Sequence, residues 1–193
     1  CRISKGGKQI MTKEIIFAGF GGQGVILAGK MLCLACMNDG KSVSHIPSYG
    51  AEMRGGTANC SVIISDEDIA SPVIDKSDIV IALNKPSMVK FEKSLKPGGL
   101  IIYNTSLIDT KPSRSDIKTL GIPVNAMADE SKNPRGINMV ILGVLAKLFP
   151  EMLSDTAHFE AALDEAISER NKKFNPLNIA TIENAYSKEY NPM

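Results

Sequence analysis

Short apolar runs alternate along the chain with longer stretches whose apolar positions recur at helical spacing. EIIFAGF (14–20) has the length and the β-branched and aromatic content of a buried strand, and it runs into a glycine-rich loop. QGVILAGKMLCLACMNDG then reads as a helix with apolar residues nearly all round, so most of it should be buried; Asn38, Asp39 and Gly40 supply its stop. KSVSHIP reads as a second strand, and NCSVIIS (59–65) resumes a strand pattern after the polar loop SYGAEMRGGTA. Downstream, DIVIALN (78–84) is another strand, KPSMVKFEKSL a helix with Pro86 in its first turn, and PGGLIIYN a turn into a further strand. GIPVNA (121–126) reads as one more strand. Three helices follow: a buried one in GINMVILGVLAKLF, an amphipathic one in HFEAALDEAISER, and a last one in PLNIATIENAYSKEY that packs the C-terminal segment onto the body. Strands alternating with helices predict a single α/β domain, doubly wound, its mostly parallel sheet flanked by helices.

Composition narrows the partners more than the fold. The chain has 193 residues, 44% of them hydrophobic, which is enough for one full core at roughly 100–200 residues per domain. With 22 basic and 21 acidic side chains the net charge is +1, so no overall field recruits nucleic acid or a membrane surface. The longest apolar run, MVILGVLAKLF, is interrupted by Lys147 and falls short of the ~20 residues that span a bilayer. A cytoplasmic, soluble protein is the expectation. CRISKGGKQI lacks the apolar core of a signal peptide and Met11 directly precedes the first patterned segment, so residues 1–10 read as a disordered extension and 11–193 as the domain.

The stretch GFGGQG offers the first candidate chemistry. Gly19, Gly21 and Gly24 match G-x-G-x-x-G, with Gly22 and Gln23 in the variable positions. Between a strand and a helix such glycines allow positive φ and close backbone approach, and the free amides of the helix N-terminus face an anion. A nicotinamide site also needs an acidic residue near the end of the second strand to hold the ribose; that region reads VSHIPS, and Ser44 and His45 cannot replace a carboxylate. A Walker A loop fails because no G-K-[ST] follows. A phosphate-type anion, a partner's group, or a tight turn with no ligand all stay open for Gly19, Gly21, Gly22, Gln23 and Gly24.

Cys33 and Cys36 form C-x-x-C, but they lie about three turns into their helix, where the dipole opposes a thiolate, and no second pair or nearby histidine completes a zinc set. Packing within a buried helix is the better reading. With Cys60 they make a sparse, odd set that suits a reducing compartment, and ferredoxin-type cluster spacing is absent. His45 ends a strand beside the glycine loop; His158 falls on a helix surface. No residue is assigned a catalytic role and no metal set is assigned. The loop holding Tyr49, Glu52, Arg54, Gly55 and Gly56 is different, because opposite charges on a glycine-hinged loop at the carboxyl edge of a sheet suit recognition as well as a solvated surface.

Taken together, IIFAGFGGQGVILAG, PSYGAEMRGGTANCSVIIS and LNKPSMVKFEKSLKPGGLIIYN resemble the gamma subunit of 2-oxoacid:ferredoxin oxidoreductases, and NMVILGVLA and FNPLNIATIENAY extend the similarity over most of residues 14–190. The joint occurrence of G-x-G-G-Q-G and S-Y-G-x-E-x-R-G-G is far more specific than a lone glycine fingerprint. The resemblance implies an accessory subunit, silent alone, of a complex that oxidatively decarboxylates a 2-oxoacid to an acyl-CoA and passes electrons to ferredoxin. It places thiamine diphosphate on alpha and beta subunits and iron–sulfur clusters on other chains, such as a ferredoxin-like delta subunit, with coenzyme A also used by the complex and no cofactor held by this chain alone. The short SYGAEMRGG form resembles chains acting on 2-oxoglutarate or branched-chain oxoacids more than pyruvate. An independent Rossmann-type oxidoreductase and a free-standing regulatory binding module are the alternatives.

Overall fold

A computed structural model of the chain describes residues 10–49 and 57–193. Its six strands are β1 (Thr12–Phe20), β2 (Ser42–Tyr49), β3 (Thr57–Ser65), β4 (Ser77–Ala82), β5 (Leu95–Asn104) and β6 (Lys118–Ile122). They form one sheet in the order β2-β3-β1-β4-β5-β6. β1, β4, β5 and β6 pair in parallel, whereas β3 is antiparallel to both β1 and β2. Five of the six strands therefore share a direction, and one hairpin inserts the sixth between β1 and β2.

The helices are α1 (Val25–Asn38), α2 (Lys85–Phe91), α3 (Val124–Glu130), α4 (Ile137–Leu148), α5 (His158–Ala166) and α6 (Asn175–Tyr186). They cover the sheet unequally. Ile15, Phe17, Ile79, Ile81 and Ile102 face a large core shared with α1, α4 and parts of α3, α5 and α6. Ile16, Ala18, Val80, Ala82, Ile101 and Tyr103 face a smaller one closed by Met88 of α2, Ile108 and Ile117. Alternation of one strand's residues between two cores is the period-2 rule at work on a sheet covered on both sides.

The all-round apolar pattern of α1 has the expected result: nine of its fourteen residues are buried. α4 is deeper still, with every residue from Ile137 to Ala146 buried. α4 and α6 meet so closely that a Cβ on Gly143 would overlap the carbonyl oxygen of Ile182. α2 starts as its sequence predicts, with Pro86 in the first turn and Asn84 Oδ1 accepting from the Ser87 amide at 2.8 Å.

One element differs from its sequence reading. GIPVNA (121–126) is not a strand: β6 stops at Ile122, and Val124, Asn125 and Ala126 begin α3 with Pro123 at its cap. Proline fixes φ and lacks an amide, so it ends the ladder and opens the helix. Beyond α6 the chain returns to the sheet, where Thr119 and Met193 exchange both backbone hydrogen bonds at 2.8 and 3.0 Å.

Candidate functional site

The parallel strands end together at one edge of the sheet, and the glycine loop joins β1 to α1 there. Gly22 (φ +97°) and Gly24 (φ +72°) both occupy backbone conformations that side chains disfavour. Gly19 is required by space instead, since a Cβ there would stand 2.6 Å from Gln23 Oε1 and 3.2 Å from Leu83. The Gln23 side chain turns inward. Its Oε1 accepts from the Phe20 amide at 2.6 Å and from Asn84 Nδ2 at 3.4 Å, while Nε2 donates to the Leu83 carbonyl at 3.4 Å. Gln23 thus ties the loop to the end of β4 and the cap of α2, which makes it a brace for the glycines.

The loop opens on a cavity of about 550 Å³. Gly22 and Gly24 form one wall, and the turn from Lys132 to Arg135 with Asn138 of α4 forms another. Leu27, Met139, Ile167 and Leu177 provide an apolar side, and Phe174 stands half-exposed at the rim. No carboxylate lines this space. α1 and α4 both start beside it, each without a side-chain cap and without an acidic residue in its first turn. Their free amides leave the region electropositive. The sequence reading did not single out Lys132, Arg135, Asn138 or Phe174; the one available signal was an asparagine inside the apolar run INMVILG.

Strand pairing locates the second candidate group. Phe20 pairs with Thr57, and Tyr49 pairs with Ala58, so both ends of the 50–56 connection sit at the glycine-loop edge of the sheet. Glu52, Arg54, Gly55 and Gly56 lie outside the described residues. The same pairing weakens the dinucleotide alternative. A ribose-binding carboxylate would stand at the end of a strand parallel and adjacent to β1; the parallel neighbour β4 runs out through Ala82, Leu83 and Asn84, and the other neighbour, antiparallel β3, begins at that edge with Thr57 and Ala58, so neither offers one.

Cys33, Cys36 and Cys60 are buried and unpaired, and burial pushes each thiol up to about 12. Such thiols are packing groups. His45 lies on β2 against α1, where Nε2 is buried with no hydrogen-bond partner among the described residues; a Cβ on Gly29 would stand 3.1 Å from it. Burial holds its pKa below the usual value, offset in part by the Ile26 backbone, with Lys30 adding to the depression. His158 starts α5 and places Nε2 3.3 Å from Asp39 Oδ1, which also accepts from Ser154. Among the described residues no group of three or more His, Cys, Asp or Glu could hold a metal ion, and no helix is long and apolar enough to cross a membrane.

The family model for pyruvate ferredoxin/flavodoxin oxidoreductase matches residues 14–188. The chain belongs to this family. Within the pyruvate ferredoxin/flavodoxin oxidoreductase family it is 38% identical over 157 residues to 2-oxoglutarate synthase subunit KorC of Methanocaldococcus jannaschii, a match covering 80% of this chain and 83% of KorC. It is 37% identical over 135 residues to ketoisovalerate oxidoreductase subunit VorA of Methanothermobacter marburgensis. That match covers 70% of this chain and only 28% of VorA. Among solved structures, the keto/oxoacid ferredoxin oxidoreductase gamma subunit of Geobacter sulfurreducens superposes with TM-score 0.76 at 29% identity, over 92% of this chain and 96% of that one. A 2-oxoglutarate:ferredoxin oxidoreductase from Magnetococcus marinus, solved with 2-oxoglutarate, coenzyme A and succinyl-CoA bound, superposes with TM-score 0.79 at 27% identity. The match covers 90% of this chain and 30% of that one, so family members carry this domain both as a chain of its own and as part of a longer one.

Proposed function

We propose that this chain is the gamma-type accessory subunit of a complex that oxidatively decarboxylates a 2-oxoacid, forms the acyl-CoA and delivers the electrons to ferredoxin. The observation that carries this reading is the likeness to a gamma subunit over 92% of this chain and 96% of that one, joined to a domain whose described thiols, Cys33, Cys36 and Cys60, are buried packing groups. Oxidative decarboxylation needs a carbanion-stabilising cofactor and a one-electron path, which in this reading thiamine diphosphate and iron–sulfur clusters supply on alpha, beta and ferredoxin-like delta subunits. The KorC and VorA relatives favour 2-oxoglutarate or a branched-chain 2-oxoacid as substrate.

In the same reading the glycine-loop edge faces the partners. Gly19, Gly21, Gly22, Gln23 and Gly24 present or support backbone amides there, and Tyr49, Glu52, Arg54, Gly55 and Gly56 belong to the interface where coenzyme A or the acyl intermediate is handled. Reconstitution with partner chains is the test. The complex is expected to reduce a viologen acceptor in the presence of 2-oxoacid, coenzyme A and thiamine diphosphate, and the chain alone is expected to be silent. Full turnover by the partners without this chain would remove it from the reaction.

A further inference from the structure

The helices leave one part of the sheet without a covering layer. Among the described residues, the helix packed on the β2–β3 hairpin is α1, and it lies on the large-core side, where Ala58, Cys60, Val62 and Ile64 are buried. On the other side α2 packs over β1 and β4. Direct pairing carries that second face across the hairpin: Ile16, Ser61 and Ile46 stand in one row, Ala18, Asn59 and Ser48 in the next, and Phe20 stands beside Thr57. Ile63 and Ser65, further along the same face, are buried, so the open stretch is the half of the hairpin nearer the glycine loop. There Ile46 is 40% and Phe20 37% exposed, Ser48 is exposed, and Thr57, Asn59 and Ser61 are only partly buried.

This stretch does not read as a solvated strand surface. None of its six residues is charged, whereas surfaces kept in water carry roughly 25–35% charged side chains. Absence of charge around apolar anchors is the composition of an interface centre. Pro47 removes a donor from the outer edge of β2, which disfavours addition of another strand there and leaves the face for contact. The face has the footprint of one helix. Two strands span about 10 Å, the diameter of a helix with its side chains, and the five residues Thr57–Ser61 extend over about 17 Å, the length of some eleven helical residues. Serine, threonine and asparagine are short enough for a helix to approach closely between Ile46 and Phe20.

Area and the relatives decide whose helix it is. A contact of this size buries on the order of a few hundred Å², well below the roughly 1,200–2,000 Å² of a stable association, so it does not hold two copies of this chain together by itself. It belongs to a larger interface, and through Phe20 and Thr57 it runs into the glycine-loop edge. The matches cover only 28% of VorA and 30% of the Magnetococcus marinus chain, so in those proteins the domain is built together with a much longer polypeptide. We infer that the open face of the β2–β3 hairpin receives a helix of a partner subunit, anchored on Ile46 and Phe20. The inference rests on the function proposed above only for the identity of that partner.

Maleimide labelling of Ile46→Cys, read by peptide mapping in the free chain and in the complex reconstituted with partner chains, tests it. The introduced thiol should label in the free chain and at least about tenfold more slowly in the complex, because the centre of an interface excludes water. Ser61→Lys should weaken assembly by about tenfold or more, since it buries an unpaired charge, while the thermal midpoint of the free chain stays near wild type. Val73→Lys, on the exposed connection between β3 and β4, should assemble as wild type does. Equal labelling in the free and assembled chain would overturn the inference, as would undiminished assembly of a folded Ser61→Lys chain. Protection already present in a free chain of dimeric mass would assign the face to a second copy and overturn it too. Should Ser61→Lys fail to fold, the labelling decides alone. These outcomes separate from those of the function: protection in an assembled complex that turns over no 2-oxoacid keeps the surface and loses the reaction, and turnover with the introduced thiol still open does the reverse.

Discussion

Asn138 closes directly on Gly24: a Cβ added to Gly24 would stand 2.8 Å from Asn138 Nδ2 and 2.9 Å from its Cγ. Gly22, two residues earlier and also at positive φ, has open space around it. The two glycines therefore separate backbone strain from crowding. Gly22→Ala should destabilise the fold by roughly 1–2 kcal/mol through its left-handed conformation alone. Gly24→Ala should lose that and a further ~1–3 kcal/mol from overpacking against α4. Chemical denaturation of both variants measures the difference, and equal losses would show that the Asn138 contact does not constrain the loop.

The three thiols of the described core should resist modification. With pKa values raised to about 12, Cys33, Cys36 and Cys60 hold almost no thiolate at pH 8, and burial blocks access as well. Peptide mapping after treatment with a maleimide is expected to find them unlabelled in the native chain and labelled in denaturant. Fast native labelling of Cys33 or Cys36 would reopen the redox reading of C-x-x-C.

His45 should give the fold an acid-sensitive term. Its folded-state pKa lies below the ordinary value of about 6.5, so the folded protein binds its proton less readily than the unfolded chain does. The sign follows: stability from this site is intact above about pH 6.5, falls as the pH drops through that value, and levels off only beneath the folded-state pKa. Thermal midpoints of the wild type and His45→Gln between pH 5 and 8 test this. The variant should lose less stability on acidification, and parallel profiles would mean that His45 is solvated.

Arg54 should matter only in the assembled enzyme. Arginine makes paired hydrogen bonds to carboxylate or phosphate that alanine cannot, and lysine only partly replaces them. In reconstituted complexes Arg54→Ala is expected to weaken assembly or raise the KM for coenzyme A by about tenfold, equivalent to ~1.4 kcal/mol, with the chain still folded. Arg54→Lys should recover part of the loss. Unchanged complex mass together with unchanged coenzyme A dependence would return the loop to a solvated surface.

Most elements were legible in the sequence because their apolar periods are unambiguous. The run Ile15–Ala18 reads as a buried strand and is one, and the all-round pattern of α1 reads as a largely buried helix, as nine of its fourteen residues are. What periodicity does not encode is order across the sheet. Alternation along β2 and β3 is compatible with either strand lying beside β1, and the antiparallel pairing of β1 with β3, Phe20 against Thr57, decides it. The β6–α3 boundary was missed because Val124 is as apolar as a strand residue, while Pro123 settles the matter through backbone geometry. The glycine loop was readable as a turn of special conformation. The cavity was not, since it is assembled from Gly22, Lys132, Asn138 and Phe174, residues far apart in sequence.

The β2–β3 hairpin has an evolutionary corollary. Because β2 ends at Tyr49 and β3 begins at Thr57, next to Phe20, a change in the length or composition of the connection between them leaves the register of β1, β2 and β3 to their own pairing. Doubling the length of a connection costs only about 0.6 kcal/mol in closure entropy. The fold thus carries an exchangeable cassette at its glycine-loop rim, and a lineage could retune what that rim meets while inheriting the same core.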